Sequence, residues 1–273
     1  MPTRPRSWRT LLTVASLVVA AAPLGGAPLA PPAFDLARAR IVDLTHVFDD
    51  ATLYWPNAPS RFKLTSLAHG PTPRGFFYAA NSFCAPEHGG THLDAPIHFA
   101  ERGWTAEQIP AERFVRPGVV IDVRVQAEKD ADYRLALDDV KAWEQRNGPV
   151  PEGVIVLLRT GWSSRWPDRK RYFGDDTPGD ASKLHFPSYG AAAAQYLVAR
   201  RVAALGVDTP SIDHGPSQDF EVHQIAAGAN VLGLENLTAL EALPERGAWI
   251  VALPMKIAAG SGGPARVIAL LPD

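Results

Sequence analysis

The chain is poor in sulfur, with one cysteine, Cys84, and two methionines in 273 residues. A lone thiol makes no internal disulfide, and it excludes the thiolate-rich structural metal sites that need several cysteines. Charge of either sign is not in excess: the formal net charge is -2. Nothing therefore marks a nucleic-acid partner or an anionic membrane surface. Long apolar runs are also missing. The nearest is the twelve-residue stretch 11–22, short of the ~20 residues a membrane-spanning helix needs. There is no internal repeat, heptad run or low-complexity tract, which excludes solenoids and coiled coils.

What remains is an ordinary globular balance, 46% hydrophobic and 21% charged, with 25 prolines and 22 glycines that imply many shaped loops. The first thirty residues stand apart. Arg4, Arg6 and Arg9 precede the apolar stretch, and Gly25, Gly26 and Ala27 follow it. Basic start, apolar centre and small-residue end are the pattern of a secretory signal peptide. Residues 1–30 are thus predicted to be removed by cleavage in the region 22–30, leaving 31–273 as an exported domain, periplasmic or secreted. An uncleaved anchor is the alternative. Cys84 is expected to be a small buried residue on a strand.

Along that domain, β-branched and apolar runs predict strands at 41–44, 79–85, 119–123, 154–158, 202–207, 231–235, 249–254 and 266–271. The continuous run 154–158 reads as buried on both faces. Helices are expected after caps at Asp138, Ser188 and Asp219, the last a short one carrying His223. Residues 163–185 read as a polar excursion. Strands interleaved with a few helices predict a single α/β domain with a mixed β-sheet.

The chemistry concentrates in His88-Gly89-Gly90-Thr91-His92-Leu93-Asp94-Ala95-Pro96-Ile97-His98, three histidines and one aspartate within eleven residues. Glycine and proline argue against a helix here despite the spacing of His88 and His92. In extended chain, His92 and Asp94 face the same way. His88, His92 and Asp94 offer two nitrogens and one oxygen to a divalent metal, the donor pattern of a catalytic site with an open position. Zinc is the first expectation, and mixed imidazole and carboxylate also suits manganese or iron, so ligand type alone does not fix the metal. His98, beyond the Pro96 turn, is free to act as a general base. His223 and Glu235, twelve residues apart in the C-terminal third, are candidates for a second ion that shares a carboxylate with the first. Metal-acidified water beside a general base is hydrolytic machinery. Trp55, on the proline-stiffened loop 54–59, is either a wall of a substrate pocket or a plug under its loop. Phe77, in the cluster Phe76-Phe77-Tyr78, and His214, in the turn after Asp213, are further candidates for substrate contact.

The motif resembles His-x-Gly-Thr-His-x-Asp-x-Pro-x-His of the cyclase family, which includes bacterial kynurenine formamidases and isatin hydrolases. Further resemblance lies in Asp43-Leu44-Thr45-His46, Trp55-Pro56, Arg159-Thr160-Gly161-Trp162, Leu253-Pro254-Met255-Lys256 and Gly263-Pro264-Ala265-Arg266. It implies a swivelling β/β/α-like fold, ligands at His88, His92 and Asp94, a proton-transfer histidine at His98 and a substrate-contacting aromatic at Trp55. In the formamidases a later His and a Glu twelve residues on complete a two-zinc site, which His223 and Glu235 match. Isatin hydrolases resemble one-metal enzymes, typically with manganese, that lack that Glu. The implied reaction is hydrolysis of a carbon–nitrogen bond in an aryl formamide or cyclic amide, by a homodimer or larger oligomer. A metal-assisted cyclase or lyase is the second expectation, and an exported metal- or ligand-binding protein is the non-enzymatic one.

Overall fold

The computed structural model describes residues 35–272, so the predicted signal peptide lies outside the described residues. The strands are β1 Arg40–Asp43, β2 Lys63–Pro71, β3 Phe77–Cys84, β4 His92–Asp94, β5 Val115–Asp122, β6 Arg134–Leu135, β7 Ile155–Arg159, β8 Ser188–Tyr189, β9 Ala204–Val207, β10 Leu232–Glu235, β11 Arg246–Pro254 and β12 Gly262–Leu271. The helices are α1 Arg124–Lys129, α2 Leu137–Asn147, α3 Arg169–Phe173, α4 Ala191–Ala199 and α5 Glu221–Gly228.

Eight strands form one mixed sheet in the order β1-β12-β11-β5-β7-β9-β10-β4. The strands β5, β7, β9 and β10 run parallel to their neighbours in that series, and the remaining pairs are antiparallel. β4 also pairs with β12, through His92 to Pro264 and Asp94 to Gly262. That pairing closes the expected mixed sheet into a barrel, an outcome the linear pattern of strands does not encode.

Alternation along the strands divides the core. Val120, Ile155, Leu157 and Ala204 join Leu93, Leu234, Ile250 and Val267 in the interior cluster. Their neighbours Val119, Ile121, Val156, Leu158 and Leu205 form the opposite cluster with Val140 and Trp143 of α2 and Ala193, Ala194 and Leu197 of α4. Two-faced burial is why 154–158 carries no polar residue. Each such Val, Leu or Ile contributes about 1.5–3 kcal/mol through burial.

Three helix starts differ from the sequence reading. Before α2 the backbone N–H of Ala136 donates to Asp139, not to Asp138. Ser188 belongs to a short strand and donates to the Ser211 carbonyl, so α4 begins after Gly190. At α5 the capping carboxylate is Asp213 rather than Asp219: it accepts from the backbone N–H groups of Val222 and His223. In each case a long-range contact or a neighbouring acid outcompetes the expected local cap. The excursion 163–185 is also more ordered than its polarity implies, because Trp162, Tyr172, Phe173, Leu184 and Phe186 make a small core of their own with Leu53.

β2 and β3 pair only with each other and project as an arm. Leu64, Leu67, Phe76, Phe77, Tyr78 and Phe83 are exposed along it. Cys84 ends β3 exposed, not buried as the sequence suggests, because among the described residues no layer packs over the arm.

Candidate metal centre and active site

β4 and β10 run antiparallel with His92 opposite Glu235 and Asp94 opposite Gly233. Leu93 points into the core, so the pleat turns His92 and Asp94 to the other face. A cross-strand partner at this spacing sits within contact distance, and Glu235 Oε2 is 3.4 Å from His92 Nε2. Gly233 is required by space: a Cβ there would fall 2.8 Å from Asp94 Oδ2. His88 curls back from the preceding loop so that its Nδ1 stands 2.6 Å from Asp94 Oδ1. α5 brings His223 Nε2 to 3.4 Å from Asp94 Oδ2 and 3.2 Å from Glu235 Oε1.

The five expected ligands therefore meet, in two groups that share Asp94: His88, His92 and Asp94, and Asp94, His223 and Glu235, with ligand atoms in each group within 4.8 Å of one another. The two oxygens of Asp94 face different groups, and so do those of Glu235. Asp94 Oδ2 is buried without a hydrogen-bond partner, a costly state for a carboxylate oxygen unless a cation faces it. The nitrogens not turned to the centre are held. His92 Nδ1 donates to the Gly90 carbonyl at 2.9 Å and His223 Nδ1 donates to Asp213 Oδ2 at 2.7 Å. Both contacts fix the tautomer that leaves Nε2 for a metal.

Electrostatics agree with the geometry. Burial opposes charge on His92, but Asp94 and Glu235 outweigh it and push it up to about 9. His223 is likewise raised well above the usual histidine value by Asp213, Asp94 and Glu235 against its burial. Burial disfavours charge on Asp94 as well, yet the surrounding histidines hold it well below the carboxylate range. A buried pair of carboxylates that draws positive charge onto its imidazoles is a place where a divalent ion replaces protons. The donor set fits such an ion.

His98 has the opposite character. It stacks on His88 with centroids 3.7 Å apart. Burial, reinforced by His88, His223 and His92 against the pull of Asp94, lowers it to about 4. Burial thus favours its neutral form.

The centre opens on a cavity of about 420 Å³ lined by Leu53, Trp55, Phe99, Phe173 and Phe220 beside His88, His92, His98, His223 and Glu235. Trp55 is both wall and plug: it lines the cavity and meets Phe173 and Phe186 edge-on at 6.3 Å. Two expectations are corrected. Phe77 lies on the arm, 63% exposed and edge-on to His69, outside the cavity wall. The aromatic side chains that line the cavity beside Trp55 include Phe99, Phe173 and Phe220. His214 lines a separate groove with Asp132, Arg134 and Pro216, because the turn sends its neighbour Asp213 inward instead.

Sequence reading missed the supports: Asp213 behind His223, and Asn236, whose side-chain N–H donates to the same Gly90 carbonyl as His92. Tyr172 in turn donates to Asn236 Oδ1 at 3.0 Å. The position of Asn236 directly after Glu235 was the only available signal, and it is a weak one.

A closed mixed barrel with a carboxylate-bridged histidine cluster and an aromatic mouth defines a metal-centred small-molecule site. The Cyclase family model matches residues 42–214, and the chain belongs to the cyclase family. It is 33% identical over 207 residues to an isatin hydrolase of Roseibium aggregatum, covering 72% of this chain and 77% of that protein. It is 27% identical over 229 residues to a kynurenine formamidase of Sphingopyxis alaskensis, covering 84% of this chain and 97% of the relative. The solved isatin hydrolase A from Ralstonia solanacearum superposes with a TM-score of 0.78 at 36% identity, over 86% of this chain and 93% of that one.

Proposed function

We propose that the chain is a metal-dependent hydrolase that opens the carbon–nitrogen bond of an uncharged aromatic amide, a cyclic amide above all. The cavity carries this reading: the histidine–carboxylate cluster faces an aromatic wall in which, among the described residues, there is no lysine or arginine. An amino-acid substrate would bring a carboxylate with no lysine or arginine to pair it outside the metal cluster, and a buried carboxylate left unpaired costs several kcal/mol. A flat neutral ring buries its faces against Trp55, Phe99 and Phe220 without that penalty. The likeness to an isatin hydrolase supports the same choice over the formamidase-type substrate.

The cluster of His88, His92, Asp94, His223 and Glu235 would hold a divalent ion, which would supply Lewis acidity for the amide carbonyl and a water with its pKa lowered toward about 7. Asp94 and Glu235 hold negative charge against it, one oxygen to each half of the cluster. His98, neutral at working pH, takes a proton from the attacking water at a ring nitrogen. The carbon–oxygen bond forms in that attack, and His98 then returns the proton to the leaving nitrogen as the carbon–nitrogen bond breaks. The net change is the addition of one water.

The reading includes two ions per chain, since each oxygen of Asp94 and Glu235 faces a different histidine group. Zinc is the ion proposed for this imidazole–carboxylate set, and manganese is the alternative. The exposed apolar arm supports a homo-oligomer, and the basic-then-apolar N-terminus supports export with loss of 1–30. The decisive experiment offers the metal-loaded protein a panel of neutral aryl amides and lactams beside an N-formyl amino acid and follows product mass. Gain of one water on the neutral compounds alone is expected. Turnover confined to the amino acid, or loss of water instead of gain, overturns the reading. Elemental analysis, light scattering and N-terminal sequencing of the exported protein test the ion count, the oligomer and the cleavage.

A further inference from the structure

The third ligand histidine presents the other nitrogen. His92 and His223 turn Nε2 to the centre, whereas His88 turns Nδ1 to it and sends Nε2 outward. Nε2 of His88 lies 2.8 Å from Ser261 Oγ. Ser261 is itself engaged on every side. Its Oγ donates to Glu87 Oε2 at 2.6 Å and its backbone N–H donates to the same oxygen at 2.9 Å. Its carbonyl accepts from Ala95 at 2.9 Å.

The neighbouring chain is shaped for this contact. A Cβ at Gly262 would fall 2.8 Å from His88 Cε1 and 2.4 Å from the Leu93 carbonyl. A Cβ at Gly260 would meet Glu87 Oε1 at 3.0 Å. The glycines flanking Ser261 are thus the residues that let the imidazole and the Glu87 carboxylate reach it.

A hydroxyl has one proton. With that proton given to Glu87, Ser261 Oγ faces His88 as an acceptor only, and the imidazole must keep its proton on Nε2. The lone pair is then on Nδ1. Without Glu87 the hydroxyl is free to donate to Nε2, which favours the tautomer with Nδ1 protonated toward Asp94 and closed to a metal. We propose that Glu87 and Ser261 are positioning residues that set the tautomer of His88 and so complete the first half of the metal centre through Nδ1. This rests on the metal-binding part of the proposed function and not on the substrate.

The test is chelator competition on the zinc-loaded full-length chain, with ¹⁵N resonances of His88 recorded on the same samples. Ser261→Ala and Glu87→Ala should each release the ion of the His88 half about 10–100-fold more readily, the usual effect of removing a group behind a metal ligand. Ser261→Thr, which keeps the hydroxyl, should hold zinc as wild type does. In the wild type His88 should carry its proton on Nε2. A proton on Nδ1, or wild-type zinc retention in both alanine variants, overturns the inference. If the wild type itself retains no divalent ion, the metal reading fails as well. If Ser261→Ala does not fold, the wild-type resonances and Glu87→Ala still decide.

Discussion

The two halves of the metal cluster reach the same space by opposite routes. His88, His92 and Asp94 come from seven consecutive positions, and local geometry nearly suffices: a curling loop, then a three-residue strand. His223 and Glu235 come from a helix and a strand whose places are set by tertiary structure. Glu235 depends on the register of β10 against β4, and His223 on Asp213 both capping α5 and holding its ring. The first half is also the wetter one, its His88 side chain 26% exposed against 7% for His223. A sequence-local half can be drawn from a motif, whereas a topological half stands only while the barrel does.

The largest effect should come from the residue both halves share. Asp94→Ala is expected to remove both ions by elemental analysis and to leave no measurable hydrolysis. Retention of one ion would mean that the halves are independent and the carboxylate is not a bridge. Next is His98, which belongs to neither half. His98→Ala should keep the wild-type metal content while kcat falls about 10²–10⁴-fold, the range for loss of a general acid–base. Metal loss in that variant would make His98 a ligand. Glu235→Gln then separates the halves: metal content should fall from two ions toward one, with the His88 half retained. Asp213→Asn, which leaves the ligand in place but loosens its tautomer, should weaken the second ion about 10–100-fold.

The smallest effect lies outside both halves and concerns acid. His46 stacks on Trp166 at 4.2 Å, and burial lowers it from 6.5 to about 4. The unfolded chain therefore binds this proton more readily than the folded one, so stability rises with pH between those values. The contribution is full above 6.5 and is lost as pH falls toward 4. His46→Phe, which keeps a ring against Trp166, should show a flatter fall in Tm over that window than the wild type. Equal slopes would assign the acid sensitivity to other groups.

Legibility in the sequence followed the same division. The eleven-residue motif and the two-sided burial of 154–158 were visible because they are local patterns of residue type. His223 and Glu235 were visible only through their spacing. Barrel closure was not, because β4 is three residues long and pairs with two partners far away in the chain. Asp213, Asn236, Glu87 and Ser261 were invisible for a related reason. A hydrogen-bonding side chain behind a ligand has no periodicity, and its meaning exists only after the chain has folded. Phe77 misled because an aromatic cluster beside a motif in sequence need not lie beside it in space.

The strand that carries the motif has one more consequence. β4 is also the seam of the barrel, three residues that pair with β10 on one side and β12 on the other. An ion held by Asp94 of β4 with Glu235 of β10 and His223 would be a rivet across that seam. By mass action a ligand that binds only the closed form adds about 2.7 kcal/mol at a hundred times its dissociation constant. Metal supply would then set how firmly the barrel is shut. A chain that folds in a metal-poor compartment would start without that rivet beside its active site.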